Sequence, residues 1–439
     1  MRLPTTPALL VAALLLCVGE ISTAHAHGTA AEVYQIIPSD MGMPAFTTTY
    51  GLVLDTDTGW RWVCSGAMQR SPNERIPVVR SPGGEFLGAT FGGLRRAEPN
   101  ACGGELASPL LDRIVIDIVT DENTPSVIWA LTSDGRSTDN GVFRSVDGGE
   151  SWSAVNETVS TILFERLRIA PGNSDVLYLS GAFPRTESMP ERRVFTFRSV
   201  DAGASFESFE FPLAAGERNL YLLGVDPLME STVYARVVRA VESYDQPERL
   251  VVSRDGGETW ETLLSLTAEI SGFAQLDGRI YVSAPQLGSY EDSVTGEQVF
   301  PEMGLWVSED SGASFEHLQQ DVSLTCLNAV DGELWACASH TSGPWDVGRS
   351  ADAGRTFEGV FSLNDLVGPV ECPGPVVCEV EDADLVRDYA LNICLAPPCA
   401  IPGSAGVSGG GCSISDQNGS AWAFLVGFGL LFFARRRRT

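Results

Sequence analysis

Arg75-Ile76-Pro77 is the tripeptide richest in chemical possibility. Its arginine precedes the strand-like run VVRSPGGEFLGATFGG and offers a planar guanidinium that grips a carboxylate through two parallel hydrogen bonds. Glycoside hydrolysis asks for more. The one Tyr-Glu dipeptide, Tyr290-Glu291, lies in the loop-like stretch SYEDSVTGEQ. Carboxylates are plentiful, and two of them about 5–9.5 Å apart would make an acid and base or nucleophile pair, but sequence spacing does not set that distance. His317 and His340 have neither a Ser-Gly elbow nor an Asp at a telling interval, so no hydrolytic triad forms around them. The acidic run Glu379-VEDAD lacks the glycine and the spacing of a calcium loop and reads as a solvated loop. All 29 basic residues are arginine, which excludes a Walker P-loop, a Schiff base and any lysine nucleophile. With only four histidines, no metal site and no cofactor are expected.

Any such residues must be held by a scaffold, and the scaffold is written as a repeat. Ser145-VDGGES-Trp152, Ser199-VDAGAS-Phe206, Ser253-RDGGET-Trp260, Ser308-EDSGAS-Phe315 and Ser350-ADAGRT-Phe357 share the pattern S-x-D-x-G-x-[ST]-[WF]. Their aspartates, Asp147, Asp201, Asp255, Asp310 and Asp352, recur roughly every fifty residues. A weaker copy, Asp55-TDTGWR-Trp62 with Asp57 at its centre, precedes them. The interval after it leaves room for one more unit, where Leu94-RRAEPNACGG has lost the motif. β-rich segments flank each strong copy, giving strand, tight turn, strand. Asp accepts backbone N–H bonds within the turn, Gly supplies a positive φ, the small hydroxyls tie the loop ends, and the Trp or Phe plugs the hairpin into the core.

These are the residues of an Asp box, and over about residues 30–370 the chain resembles the Asp-box (BNR repeat) β-propellers. The resemblance implies an all-β fold in which each box is a structural turn between the third and fourth strands of a blade. Counting the weak and the lost copies, the spacing predicts a seven-bladed β-propeller of four-stranded blades. Residues 362–400 then close and cap the ring. The resemblance also touches Arg75: sialidases carry Arg-Ile-Pro on an early blade, where its Arg helps hold a substrate carboxylate. Those enzymes need two further converging arginines, a Tyr nucleophile backed by a Glu, and a general acid. Here, moreover, Arg75 falls in the second unit, whereas the family's motif lies in the first. The expected function is therefore a non-enzymatic, surface-displayed propeller that binds a protein or glycan on its central face. A secreted glycan hydrolase of sialidase or endoglucanase type is the alternative.

Residues 1–26 read as a signal peptide, with Arg2, the apolar run Ala8 to Val18 and the cleavage pattern Ala24-His25-Ala26. The propeller then occupies 27–400, a Gly/Ser-rich linker 401–411 and a tail 412–439. The tail joins Gly411-Cys412-Ser413 to an apolar run, Ala421 to Ala434, too short for a comfortable span, and then to Arg435 to Arg438. It resembles the MYXO-CTERM sorting signal of myxobacterial surface proteins, which implies cleavage near Cys412 and delivery to the cell surface, with membrane contact only before processing. Between the ends lie eight cysteines. An even number in an exported chain reads as disulfides: Cys326 with Cys337 across a hairpin, Cys64 with Cys102 between neighbouring units, and an open pairing among Cys372, Cys378, Cys394 and Cys399. A formal charge of −28 excludes nucleic acid as a partner, because phosphate binding needs a basic surface. A monomer is expected.

Overall fold

The computed structural model describes residues 32–370 except 40–41, 50, 65–74, 100–103, 107–109, 112, 136–139, 157–161, 185–190, 244, 292–294 and 341–342. Two compact units divide the chain, Met1–Leu395 and Ala396–Thr439, and every described residue belongs to the first. The signal peptide, the linker, the tail, Cys102 and the four late cysteines lie outside the described residues.

The described chain is a seven-bladed β-propeller. Each blade is an antiparallel sheet of four strands running in chain order from the central channel to the rim. The innermost strands are Val33–Ile37, Val78–Arg80, Val115–Thr120, Leu163–Ala170, Glu217–Val225, Gly272–Leu276 and Leu324–Val330 in blades 1 to 7. The apolar positions of these strands do not form one common core. Seven separate clusters form, each between adjacent blades: Leu220 and Val237 of blade 5 pack on Tyr178 and Phe211 of blade 4, and so around the ring. Alternation along a strand thus buries both faces of a blade, one against each neighbour, leaving the two ends for polar loops.

The last interface closes the circle. Val33, Phe46 and Trp62 of blade 1 share a cluster with Trp335, Val347 and Phe361 of blade 7. Thr325 Oγ1 donates to Val33 O at 2.8 Å and Asn328 Nδ2 to Ile36 O at 3.1 Å. After a short 3₁₀ turn, Leu363–Asp365, the strand Gly368–Pro369 pairs in parallel with the outermost strand of blade 1, Gly59–Cys64, giving that blade a fifth strand. Of the segment 362–400 expected to close and cap the ring, residues from 371 onward lie outside the described residues. In blade 7 the predicted bridge is formed: Cys326 and Cys337 are cross-strand partners joined by a disulfide.

Candidate functional site

The five strong boxes share one geometry, each between the third strand of its blade and the outermost one. In blade 3, Ser145 Oγ donates to Asp147 Oδ1 at 2.7 Å and accepts Gly149 N at 2.8 Å, while Asp147 Oδ1 accepts Ser151 N at 2.9 Å. Asp201, Asp310 and Asp352 repeat the pattern with Ser205, Ser314 and Thr356. The Ser151 hydroxyl, followed by the backbone N–H, brings the Asp147 carboxyl down to about 2. Glycine is required where the turn reverses: Gly257 has φ +97°, and a Cβ there would meet Thr196 of the preceding blade at 2.8 Å. Trp152 is buried against blade 2, whereas Trp260, Phe206, Phe315 and Phe357 are half-buried at the corresponding interfaces. In each strong box the Asp carboxylate is bonded to the hydroxyls and backbone of its own turn, so these aspartates hold a hairpin. Asp57 differs: the chain reverses over Asp57-Thr58 in a two-residue hairpin closed by the Thr56 and Gly59 pair, and no box network forms. Cys64 ends that blade's outermost strand, and its expected partner lies outside the described residues.

The family model named BNR/Asp-box repeat matches residues 251–262, the copy in blade 5. The chain carries a BNR/Asp-box repeat. Comparison with curated protein sequences finds no match. Among solved structures, a puromycin-hydrolyzing peptidase of Mycobacterium tuberculosis is similar with a TM-score of 0.52 and 13% identity, over 78% of this chain and 54% of that one. A GH74 xyloglucanase from Xanthomonas campestris gives a TM-score of 0.36 at 13% identity, covering 76% of this chain and 70% of the other. A Hadza microbial sialidase gives 0.37 at 17%, covering 56% and 57%. At 13% identity the likeness to the peptidase is one of fold.

The ligand-sized feature of this BNR-repeat propeller is its channel. A cavity of about 740 Å³ is lined from all seven blades. It lies at the end where the chain enters the inner strands, at Arg75 to Pro77 and Glu269 to Ser271, and leaves the second strand of blade 6, at Pro285 to Leu287. Antiparallel connection places the boxes at the opposite end, beside the turns joining first and second strands, as the bonds Gly148 N to Ser126 O and Gly256 N to Ser231 O show.

Four arginines line this cavity in a protein that is otherwise strongly acidic: Arg75, Arg166, Arg168 and Arg236. Arg75 is placed by blade 1, where Tyr34 Oη accepts Ile76 N at 3.2 Å and Gln35 bonds both polar backbone groups of Val78. Its guanidinium pairs with Glu32 at 2.9 Å and lies over the Tyr34 ring at 5.7 Å. Arg168 is structural: Nη1 meets Asp117 Oδ2 at 3.0 Å, Nε donates to Leu223 O at 2.9 Å, and burial pushes its pKa down against the pull of Asp117. Arg236 pairs with Glu269 at 3.1 Å and with the buried Glu248 at 3.7 Å. Arg166 makes no salt bridge among the described residues. It donates to Glu165 O at 2.7 Å and stacks on Tyr221 at 5.0 Å, while Arg236 covers the same ring at 5.3 Å. Tyr221 thus meets two cations, contacts favoured by the ring quadrupole. Behind it, Glu165 bonds Asn219 Nδ2 at 2.7 Å and Arg192 at 3.2 Å. Burial raises the Glu165 pKa, opposed by Arg192, Arg166, Asn219 and the Tyr221 hydroxyl.

Of the residues singled out from sequence, only Arg75 reaches this cavity. Tyr290-Glu291 pairs with Gln298–Val299 as a small ribbon in the loop after the second strand of blade 6, away from the cavity lining. The stretch read as a loop therefore contains a two-stranded pairing, with Tyr290 opposite Val299 and Glu291 opposite Gln298. His317 stacks on Trp306, with its Nε2 2.9 Å from Met303 O, and His340 binds Asp346. Sequence reasoning missed Glu165, Arg166, Tyr221 and Arg236. The available signal was FERLRI, RNLYLL and YARVV: charged or tyrosine residues interrupt the apolar alternation of the two inner strands of a blade. Among the described residues no group of acidic, His and Cys side chains is arranged to hold a metal ion.

Proposed function

We propose that this protein is a ligand-binding propeller that takes a protein or glycan partner on its central face without transforming it. The carrying observation is the state of the cavity arginines. Arg75, Arg168 and Arg236 are already engaged by Glu32, Asp117 and Glu269, so no three-arginine clamp stands free for a substrate carboxylate. What remains is a wall drawn from seven blades that presents Arg166 and Tyr221 to the cavity, a composition suited to recognition. The test is a glycan array and a peptide array probed with the intact protein and with Tyr221→Ala. Specific binding that the variant loses, with no product formed, supports the reading; release of product by the intact protein overturns it.

One observation favours a second reading. Tyr221 lines the cavity and its hydroxyl bonds Glu165 behind it, a pairing that offers a retaining glycan hydrolase a nucleophile and a base. Fluorogenic aryl glycosides, sialosides included, decide it: turnover abolished by Tyr221→Phe and by Glu165→Gln establishes the hydrolase.

The ends of the chain complete the proposal. A signal peptide of residues 1–26 exports the chain as a monomer, and the MYXO-CTERM-like tail, cut near Cys412, leaves the propeller on the cell surface. Intact mass of surface-extracted protein tests this, since a C-terminus retaining Arg435 to Thr439 means an uncut anchor.

A further inference from the structure

Beside the channel lies a second cavity of about 190 Å³, which shares Arg75, Ile76, Pro77 and Arg166 with the first. Its remaining wall is almost wholly apolar, formed by Ala89, Val115, Ile116 and Phe164, with Phe91 at 66% exposure and Glu165 completing it. Several times the roughly 30 Å³ that a water takes in the liquid, it has room for one branched or aromatic side chain. Away from Arg75, Arg166 and Glu165 its wall gives a sugar hydroxyl few partners, and a buried hydroxyl without a partner is penalised. Two guanidinium groups at the junction of the cavities call for an anion. Arg166 has no carboxylate in salt-bridge contact among the described residues, and Arg75 gives one nitrogen to Glu32 while its side chain stays 57% exposed. Glu165 opposes an incoming anion only weakly, because Arg192 and Asn219 already hold it.

We propose that the side cavity and its two arginines form a receptor for a peptide C-terminus whose last residue is apolar: the side chain enters the cavity and the terminal carboxylate pairs with Arg166 and Arg75. The proposal rests on the central-face binding reading and names its ligand. Arg166 is the principal contact, since among the described residues its charge has no salt bridge, and Arg75 the secondary one, since Glu32 competes for it.

Isothermal titration of the intact protein with N-acetyl-Gly-Gly-Leu tests this, against the same peptide amidated, the peptide ending in Lys, and sialyllactose. The expected result is saturable binding of the free acid, weakened tenfold or more by amidation, by the Lys ending and by Arg166→Gln, and less by Arg75→Gln. Ile116→Trp, which fills the cavity, abolishes binding; cooperative unfolding of each variant shows that it is folded. Peptide binding indifferent to amidation or to Arg166→Gln overturns the proposal, as does sialyllactose binding in place of the peptide. Two negative outcomes separate the readings. If array ligands bind in a Tyr221-dependent way but the peptide does not bind, the side cavity is wrong and central-face binding stands; if neither the array ligands nor the peptide bind, both fall.

Discussion

Asp255 holds Thr259 at two points: its Oδ1 accepts the Thr259 N–H at 2.9 Å while Oδ2 accepts the Thr259 hydroxyl. Burial would raise the Asp255 pKa, but these bonds and the one from Ser253 outweigh it and bring it down to about 2. A carboxyl lowered in the folded state stabilises above its unfolded pKa, and that contribution is lost as pH falls through the folded value. The boxes of Asp147, Asp255, Asp310 and Asp352 therefore weaken together between about pH 4 and 2. Asp255→Ala is expected to cost on the order of 1 kcal/mol at neutral pH by leaving turn donors unpaired. The same variant flattens the acid limb of stability against pH, and chemical denaturation across that range measures both. An unchanged midpoint together with a lost binding activity would mean that the box serves a ligand.

The contrast between boxes and cavity shows why the fold was more legible than the site. A box is local: Ser, Asp, Gly, a hydroxyl and an aromatic within eight residues satisfy one another, so their pattern announces the turn, and repetition announces the blades. The cavity is assembled from all the blades, and Arg166 meets Tyr221 only because neighbouring inner strands lie side by side around the channel. No sequence spacing encodes that meeting. Arg75 stood out through its tripeptide, but its partner Glu32 comes from the preceding blade and lies 43 residues earlier. Likewise the Asp57 hairpin keeps the Asp, the glycine (Gly59) and the tryptophan (Trp62) of a box while changing its turn: Asp55 and Arg61 stand where the box has its two hydroxyls, and a two-residue reversal satisfies the strands.

Trp152 is the box aromatic most deeply placed, 8% exposed between blades 2 and 3, with its Nε1 donating to Gly149 O at 3.1 Å. Trp152→Ala is expected to lose about 3–5 kcal/mol through the cavity it leaves. Trp260, half-buried at the next but one interface, should cost less when truncated. Parallel urea titrations rank the two, and the reverse order would show that burial does not set their contribution.

Cys326 and Cys337 lie 11 residues apart on paired strands, and both are buried. Closing so short a loop is expected to contribute about 2–3 kcal/mol, chiefly through the unfolded chain. Non-reducing peptide mapping should recover the two linked. The double variant Cys326→Ala/Cys337→Ala should unfold at lower denaturant but keep the same fold. A free thiol at either position in exported protein contradicts the assignment.

His340 ties the end of the ring to pH. Its Nδ1 stands 3.0 Å from both oxygens of Asp346, and the buried Asp346 Oδ2 also accepts Leu363 N at 2.7 Å and Ser362 Oγ at 3.1 Å. That carboxylate thus anchors the turn leading to Gly368–Pro369, the strand that joins the end of blade 7 to blade 1. The hydrogen bond and the charge of Asp346 raise the His340 pKa above its ordinary value, against a smaller opposing effect of burial. A raised imidazole pKa stabilises fully below the unfolded value of about 6.5, and that contribution disappears as pH climbs through the folded pKa. Stability attributable to this pair should therefore decline above about pH 6.5, by on the order of 1 kcal/mol after discounting for a ring open to solvent. His340→Gln should remove the pH dependence in that window, while Ser362→Ala lowers stability by a similar amount at every pH. Denaturation midpoints at pH 6 and pH 8.5 separate the two, and a wild-type midpoint that rises between those values would show that protonated His340 does not hold the closing segment.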